Sequence, residues 1–217
     1  ADPRAGAGVP YVETVHAVPA GFYAPASVSF PEAYPNPWIR NAVVSQGIRI
    51  GDAGLLGTVA SDIEHNAIDG SVEQGAAICV QGHQMLTLAE ADHRAASACL
   101  ARIAAWCACA GDTRHHLRWR VSLESLAGRI SLYIGMRDDA RGWFEQCAGR
   151  DALGFSPLLA TRTVEAAFLA GAIHAWDRDR ASARQWWSLG LRQAGQACAG
   201  DWREVVGDAD RPFGFGV

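Results

Sequence analysis

A stretch of 25 residues occurs twice near the C-terminal end of this 217-residue chain. Residues 126–150 return as residues 169–193, an offset of 43 residues, with eight identical positions and with Phe144 aligned to Trp187. Self-similarity at a fixed period is typical of stacked helical repeats, in which each unit covers the apolar face of its neighbour. The repeat therefore predicts an array of helices, a class that provides binding surfaces more often than catalytic sites.

Apolar spacing and helix-start signals place helices along most of the chain. Asn36-Pro37 and Ser156-Pro157 are typical helix starts, because Asn or Ser caps the first turn and Pro suits the first helical position. We predict eight helices joined by short turns, and hence four antiparallel hairpins of which the last two are the repeated unit. The clearest helix carries one apolar stripe at helical spacing, formed by Trp119, Leu123, Leu126, Ala127, Ile130 and Tyr133.

The chain divides into three predicted segments. Residues 1–35 hold six of the nine prolines and show no helical period, which predicts an extended Pro-rich arm. Residues 36–200 are the predicted helical-repeat domain, and residues 201–217 are a predicted C-terminal tail. The sequence does not begin with Met, which favours a trimmed product or a piece of a longer protein.

The composition limits the class of protein to which this chain can belong and the kind of partner that it suits. Hydrophobic residues make up 49% and charged residues 19%, as in folded domains, and no apolar run approaches the ~20 residues of a membrane span. All 19 basic residues are Arg, which is typical of GC-rich, bacterial-type coding. Residues 94–192 carry 14 Arg and 9 acids, which suits an acidic protein partner, while a pI of about 6.0 argues against nucleic acid. Six cysteines lie mostly among apolar residues, which predicts buried free thiols and favours the cytoplasm.

The two copies resemble tetratricopeptide repeats. That family's helix pair has a small residue, an aromatic, a turn Gly, an Ala and a second aromatic at set intervals. The first copy matches with Leu126-Ala127-Gly128, Tyr133, Gly135, Ala140 and Phe144. The second copy matches with Leu169, Gly171, Trp176, Ala183 and Trp187, while Arg178 replaces the turn Gly. The resemblance covers about residues 113–195 and implies an all-α, right-handed α-solenoid whose concave groove binds a peptide or a partner domain.

The sequence therefore predicts a non-catalytic helical-repeat module without a cofactor, which binds a protein or peptide partner. Because Trp186 and Trp187 diverge by about 100° on a helix, we expect one of them to line a groove. The predicted partner-binding residues are Arg129, Arg137, Arg141, Arg180, Arg184, Trp186 and Trp187.

Two alternatives remain open: a helical metal-binding protein or enzyme, and the repeat region of a larger enzyme. Cys and His together can hold zinc, and two carboxylate-x-x-His pairs can hold a di-metal centre in a helical bundle. The spacing matches no common zinc pattern, and surface residues near helix ends explain both sets more simply. The metal candidates are Cys107, Cys109, His115 and His116, or Asp62, His65, Glu90 and His93, with His83 a further histidine of this alternative.

Overall fold

The computed structural model describes residues 47–65, 67–88, 91–153 and 157–199. Within these ranges all regular structure is helical, which confirms the all-α prediction. Residues 47–50 end a first helix, and seven helices follow: α1 (Ala53–His65), α2 (Val72–Thr87), α3 (His93–Cys109), α4 (Arg114–Tyr133), α5 (Arg137–Ala148), α6 (Pro157–Trp176) and α7 (Arg180–Ala199). The predicted arm (1–35), the Asn36-Pro37 start, Ser156 and the tail (201–217) lie outside the described residues.

Side-chain caps explain where several helices begin. A capping box forms at α2, where the N–H of Gln74 donates to the Ser71 hydroxyl at 3.1 Å. The Gln74 carboxamide oxygen accepts from the N–H of Gly70 at 2.7 Å, one residue earlier than in the usual motif. The preceding helix α1 stops at His65, and the chain turns before Ser71.

The helices pack in a regular order. Each one packs against the next along the chain, and α2 also packs against α4, as α4 does against α6. The core follows this order from one end to the other. One apolar cluster joins α1 to α2, a second joins α2, α3 and α4, and a third joins α4, α5, α6 and α7. The hairpins α2–α3, α4–α5 and α6–α7 therefore lie in a row, with α2, α4 and α6 as their first helices.

One turn geometry recurs within the hairpins. At Gly135 the N–H donates to the carbonyl of Leu132 at 3.0 Å, and the next N–H reaches the carbonyl of Ser131 at 2.8 Å. The N–H groups of Arg178 and Asp179 make the same two bonds 43 residues later, at 3.1 and 2.9 Å. Both turn residues have positive φ, 79° for Gly135 and 64° for Arg178. The turn at Gly51, with φ 70°, repeats the pattern again. Arg178 thus adopts the left-handed conformation of the Gly that it replaces, as a helix-ending turn requires.

Small residues allow the two helices of each repeated hairpin to approach closely. A Cβ atom on Gly128 would overlap the ring of Phe144, which is fully buried. A Cβ atom on Gly171 would overlap the indole of Trp187 in the same way. Both pairs are related by the 43-residue offset, so the two copies pack their helices by the same device.

Candidate functional site

The arginines predicted to bind a partner do not share one surface. Arg129 lies on α4 and makes an ion pair with Glu165 of α6. The other four are repeat equivalents in two pairs, since Arg137 and Arg141 lie on the first turns of α5, and Arg180 and Arg184 on those of α7. The sequence could not separate these two locations, because both belong to the repeated unit.

Arg137 and Arg141 hold two neighbouring hairpins together. Their guanidinium groups lie 3.2 and 2.9 Å from the carboxylate of Asp177, which precedes the turn between α6 and α7. Arg141 also pairs with Asp138 at 3.1 Å, and the Arg137 guanidinium lies 5.8 Å from the ring centroid of Trp176. Arg137 and Arg141 therefore already have acidic partners within the chain.

Arg180 and Arg184 differ from their equivalents. Both are exposed, and neither guanidinium has a hydrogen-bond or ion-pair partner among the described residues. Their position corresponds to that of Arg137 and Arg141, but the described chain has no further hairpin beyond α7 to supply an acidic partner.

The two adjacent tryptophans diverge as the helical geometry predicts. Trp186 is partly buried against the core of α4 to α7. Trp187 covers Gly171, is 37% exposed, and donates its indole N–H to the carbonyl of Phe168 at 3.2 Å. Trp187 is thus the member of the pair that a partner can reach.

A second group of arginines lies on the first helices of the hairpins, and we call it the arginine surface. It consists of Arg118 and Arg129 on α4, Arg162 on α6 and His83 on α2, all of them half-buried. The arginines of this surface affect the protonation of His83. Burial, followed by the positive charges of Arg162 and Arg129, lowers the pKa of His83 to about 4, so this imidazole is neutral near pH 7.

Two arginines of this surface retain free hydrogen-bonding capacity. Arg162 is half-buried, and its guanidinium has no hydrogen-bond or ion-pair partner among the described residues. Arg129 pairs with Glu165 through one terminal nitrogen, while its Nε is buried and has no hydrogen-bond partner among the described residues. The guanidinium of Arg162 and the Nε of Arg129 therefore provide positive charge and N–H donors that suit an anionic ligand.

Sequence reasoning missed Arg118, Arg162 and the surface they share with Arg129. A signal was present, because α4 carries a polar stripe at offsets of 4, 7 and 11 residues beside its apolar stripe. This stripe consists of Arg118, Ser122, Ser125 and Arg129. Polar residues at helical spacing on an otherwise apolar helix indicate either solvent or a ligand on that side. His83 entered the sequence analysis only as a metal-ligand candidate, and the structure places it beside cations.

The alternative metal ligands are scattered or already bonded. His116 has one ring nitrogen 2.7 Å from the Thr113 hydroxyl and the other 3.2 Å from the carbonyl of Gly70, and it stacks on Trp106. Burial raises the pKa of the Cys107 thiol to about 12, which disfavours the thiolate that zinc requires. Among the described residues no group of three or more His, Cys, Asp or Glu side chains is placed to hold a metal ion. Glu90 lies outside them.

Five cysteines are free thiols in the structure, namely Cys79, Cys99, Cys107, Cys109 and Cys147. Cys79, Cys99 and Cys147 are buried, as their apolar neighbours in the sequence predict. Burial raises the pKa of Cys79 and Cys99 to about 11 and that of Cys147 to about 12. Thiols of this kind are packing residues and poor nucleophiles.

No family model, curated protein or solved structure matches this chain. In the part of the chain that the structure describes, every helix is too short or too polar to cross a membrane. The functional argument therefore depends on the residues themselves and on the way the hairpins arrange them.

Proposed function

We propose that this protein is a non-catalytic helical-repeat module that binds an acidic protein or peptide partner through the arginine surface. The half-buried Arg162 without an internal partner is the observation that carries the proposal. A guanidinium group held in a partly desolvated position forms stronger bonds to a carboxylate than one in open water. The neutral His83 beside it adds a hydrogen-bonding group without adding a charge that would repel Arg162.

The proposed architecture is a short right-handed α-solenoid of the tetratricopeptide type. Its support is the packing order, in which the first helices α2, α4 and α6 contact one another while each also packs against the second helix of its own hairpin. The repeated turns at Gly135 and Arg178 and the repeated close approaches at Gly128 and Gly171 support it further. In such an array the first helices line the inner, concave side, where the arginine surface would lie.

The alternative of a metalloprotein has less support from the side-chain geometry, because no three metal-binding side chains meet among the described residues. Elemental analysis of the purified protein tests this alternative. We expect no stoichiometric zinc or iron, and a stoichiometric metal would replace the proposal with the metalloprotein alternative.

A display selection of short random peptides on the full chain tests the proposed function. We expect the enriched peptides to be rich in Asp and Glu, and we expect Arg162→Glu and Arg162→Gln each to remove the enrichment. Arg94→Glu is the matched control, because Arg94 is exposed on α3 outside the arginine surface. Circular dichroism verifies that each variant is folded. Enrichment of peptides without carboxylates, or enrichment that survives both Arg162 variants, would refute the proposal.

A further inference from the structure

The outer side of the last hairpin exposes residues whose repeat equivalents are covered. Leu191 and Trp187 on α7 are 64% and 37% exposed, and Phe168 on α6 is 38% exposed. Their equivalents one period earlier are Ala148, Phe144 and Ser125, which are all buried. The last hairpin therefore exposes the side through which the preceding hairpin contacts its neighbour. We call this side the terminal surface, and it consists of Phe168, Arg180, Arg184, Trp187 and Leu191.

The preceding hairpin provides the template for what the terminal surface fits. There, α6 lies on α5, with its apolar residues against Phe144 and with Asp177 beyond its C-terminal end between Arg137 and Arg141. The occupant of that position is thus a helix that presents an apolar side to Phe144 and is followed by a carboxylate. Arg180 and Arg184 repeat the arginine pair, and Trp187 repeats the aromatic.

The charge of Arg180 and Arg184 distinguishes among the molecules that could cover the terminal surface. The equivalent of Asp177 at the turn of Gly51 is Ile50, which is 58% exposed. A second copy of this chain that docked through this turn would place Ile50, and not a carboxylate, at the position of Asp177. The nearby Asp52 already accepts from the N–H of Leu55 at 2.8 Å, as the cap of α1. The arginine pair therefore suits a partner with an acidic residue at the position of Asp177.

We infer that the terminal surface binds an amphipathic α-helix of another protein, whose C-terminal end carries an acidic residue that pairs with Arg180 and Arg184. Trp187, Leu191 and Phe168 provide the apolar contact, and the arginine pair fixes the direction of the bound helix. This inference rests on the helical-repeat part of the proposed function, but it does not depend on the arginine surface.

The test uses residues 157–179 of this chain, which are the occupant of the template, as a probe. The segment is fused to a soluble carrier protein and titrated against the full chain by calorimetry. We expect saturable binding that weakens about threefold to tenfold when the probe carries Asp177→Asn or when the full chain carries Arg184→Gln, as expected for partly exposed ion pairs. The two changes together should weaken binding no more than either one alone, because both remove the same contact.

Arg192→Gln is the matched control, because Arg192 is also exposed on α7 but has Gly149, and not an arginine, as its repeat equivalent. It should leave the affinity unchanged, as should Arg162→Glu, since binding at the terminal surface is independent of the arginine surface. A failure of the peptide selection on the arginine surface together with intact probe binding would overturn the proposed ligand site and leave this inference standing.

Four results would overturn the inference. The first is absence of binding by the probe, and the second is equal binding by the Asp177→Asn probe. The third is binding only after removal of residues 200–217, which would make the chain's own C-terminal segment the occupant. The fourth is a concentration-dependent dimer that Leu191→Glu dissociates, which would make a second copy the occupant.

Discussion

Two glycine-to-alanine substitutions in the same hairpin should change stability in opposite directions. Gly128 lies on α4 against the buried ring of Phe144, and a Cβ atom placed there would overlap ring carbons. Gly142 lies on α5, and a Cβ atom there meets nothing within 4 Å. Both positions are helical, so the gain in helix propensity of about 1 kcal/mol is common to the two variants.

The magnitudes follow from that difference. Overpacking a buried contact costs about 1–3 kcal/mol, which exceeds the propensity gain at Gly128. We expect Gly128→Ala to lower the free energy of unfolding by up to about 2 kcal/mol and Gly142→Ala to raise it by about 0.5–1 kcal/mol. Gly171→Ala should cost less than Gly128→Ala, because the Trp187 indole that it would meet is 37% exposed and can shift into solvent.

Urea unfolding followed by far-UV circular dichroism measures these differences. A Gly128→Ala/Phe144→Leu double variant should lose less stability than the sum of the two single variants, since the smaller side chain makes room for the added methyl group. Equal effects of the substitutions at Gly128 and Gly142 would refute the argument that close approach of α4 and α5 requires a glycine.

Three further outcomes follow from particular contacts. The pKa of His83 is lowered from 6.5 to about 4, so the unfolded chain protonates this imidazole at a higher pH than the folded chain does. The free energy of unfolding therefore decreases as pH falls from about 6.5 towards 4. In pH-dependent unfolding, this decrease should be smaller by up to about 3 kcal/mol in His83→Gln. Arg178→Gly should raise stability by about 1 kcal/mol in thermal unfolding, because glycine adopts φ 64° without strain, and an unchanged midpoint would contradict this. Arg150→Met should lower the free energy of unfolding in urea by about 2–3 kcal/mol, because the carboxylate of Glu124 is 1% exposed and would lose its bidentate partner. The double variant Glu124→Gln/Arg150→Met should recover part of this loss, because it leaves no buried charge without a partner.

Sequence reasoning reached the helical class because the local signals agree. The stripe from Trp119 to Tyr133 and the repeat offset both indicate helices, and the whole stripe lies within α4. The turn at Arg178 was a departure from the expected pattern in the sequence. The structure shows that the backbone there is the same as at Gly135, since the neighbouring hydrogen bonds hold an arginine in the left-handed region.

The candidate site was less accessible to sequence reasoning, for a physical reason. A repeat places equivalent arginines at equivalent positions, but only the packing of the next hairpin decides whether each is neutralised. Asp177 neutralises Arg137 and Arg141, and no residue of the described part does so for Arg180 and Arg184. The role of Arg162 could not be predicted from the repeat, because its repeat equivalent is Trp119 and not an arginine. Its charged neighbours lie on helices that are distant from it in the sequence.

Amide chemical-shift mapping of the full chain with one selected acidic peptide tests the central claim most directly. If the first helices form the recognition surface, the largest changes will fall at His83, Arg129 and Arg162 and will disappear in Arg162→Gln. Changes confined to α3, or spread evenly along the chain, would contradict the claim that α2, α4 and α6 together form the binding surface.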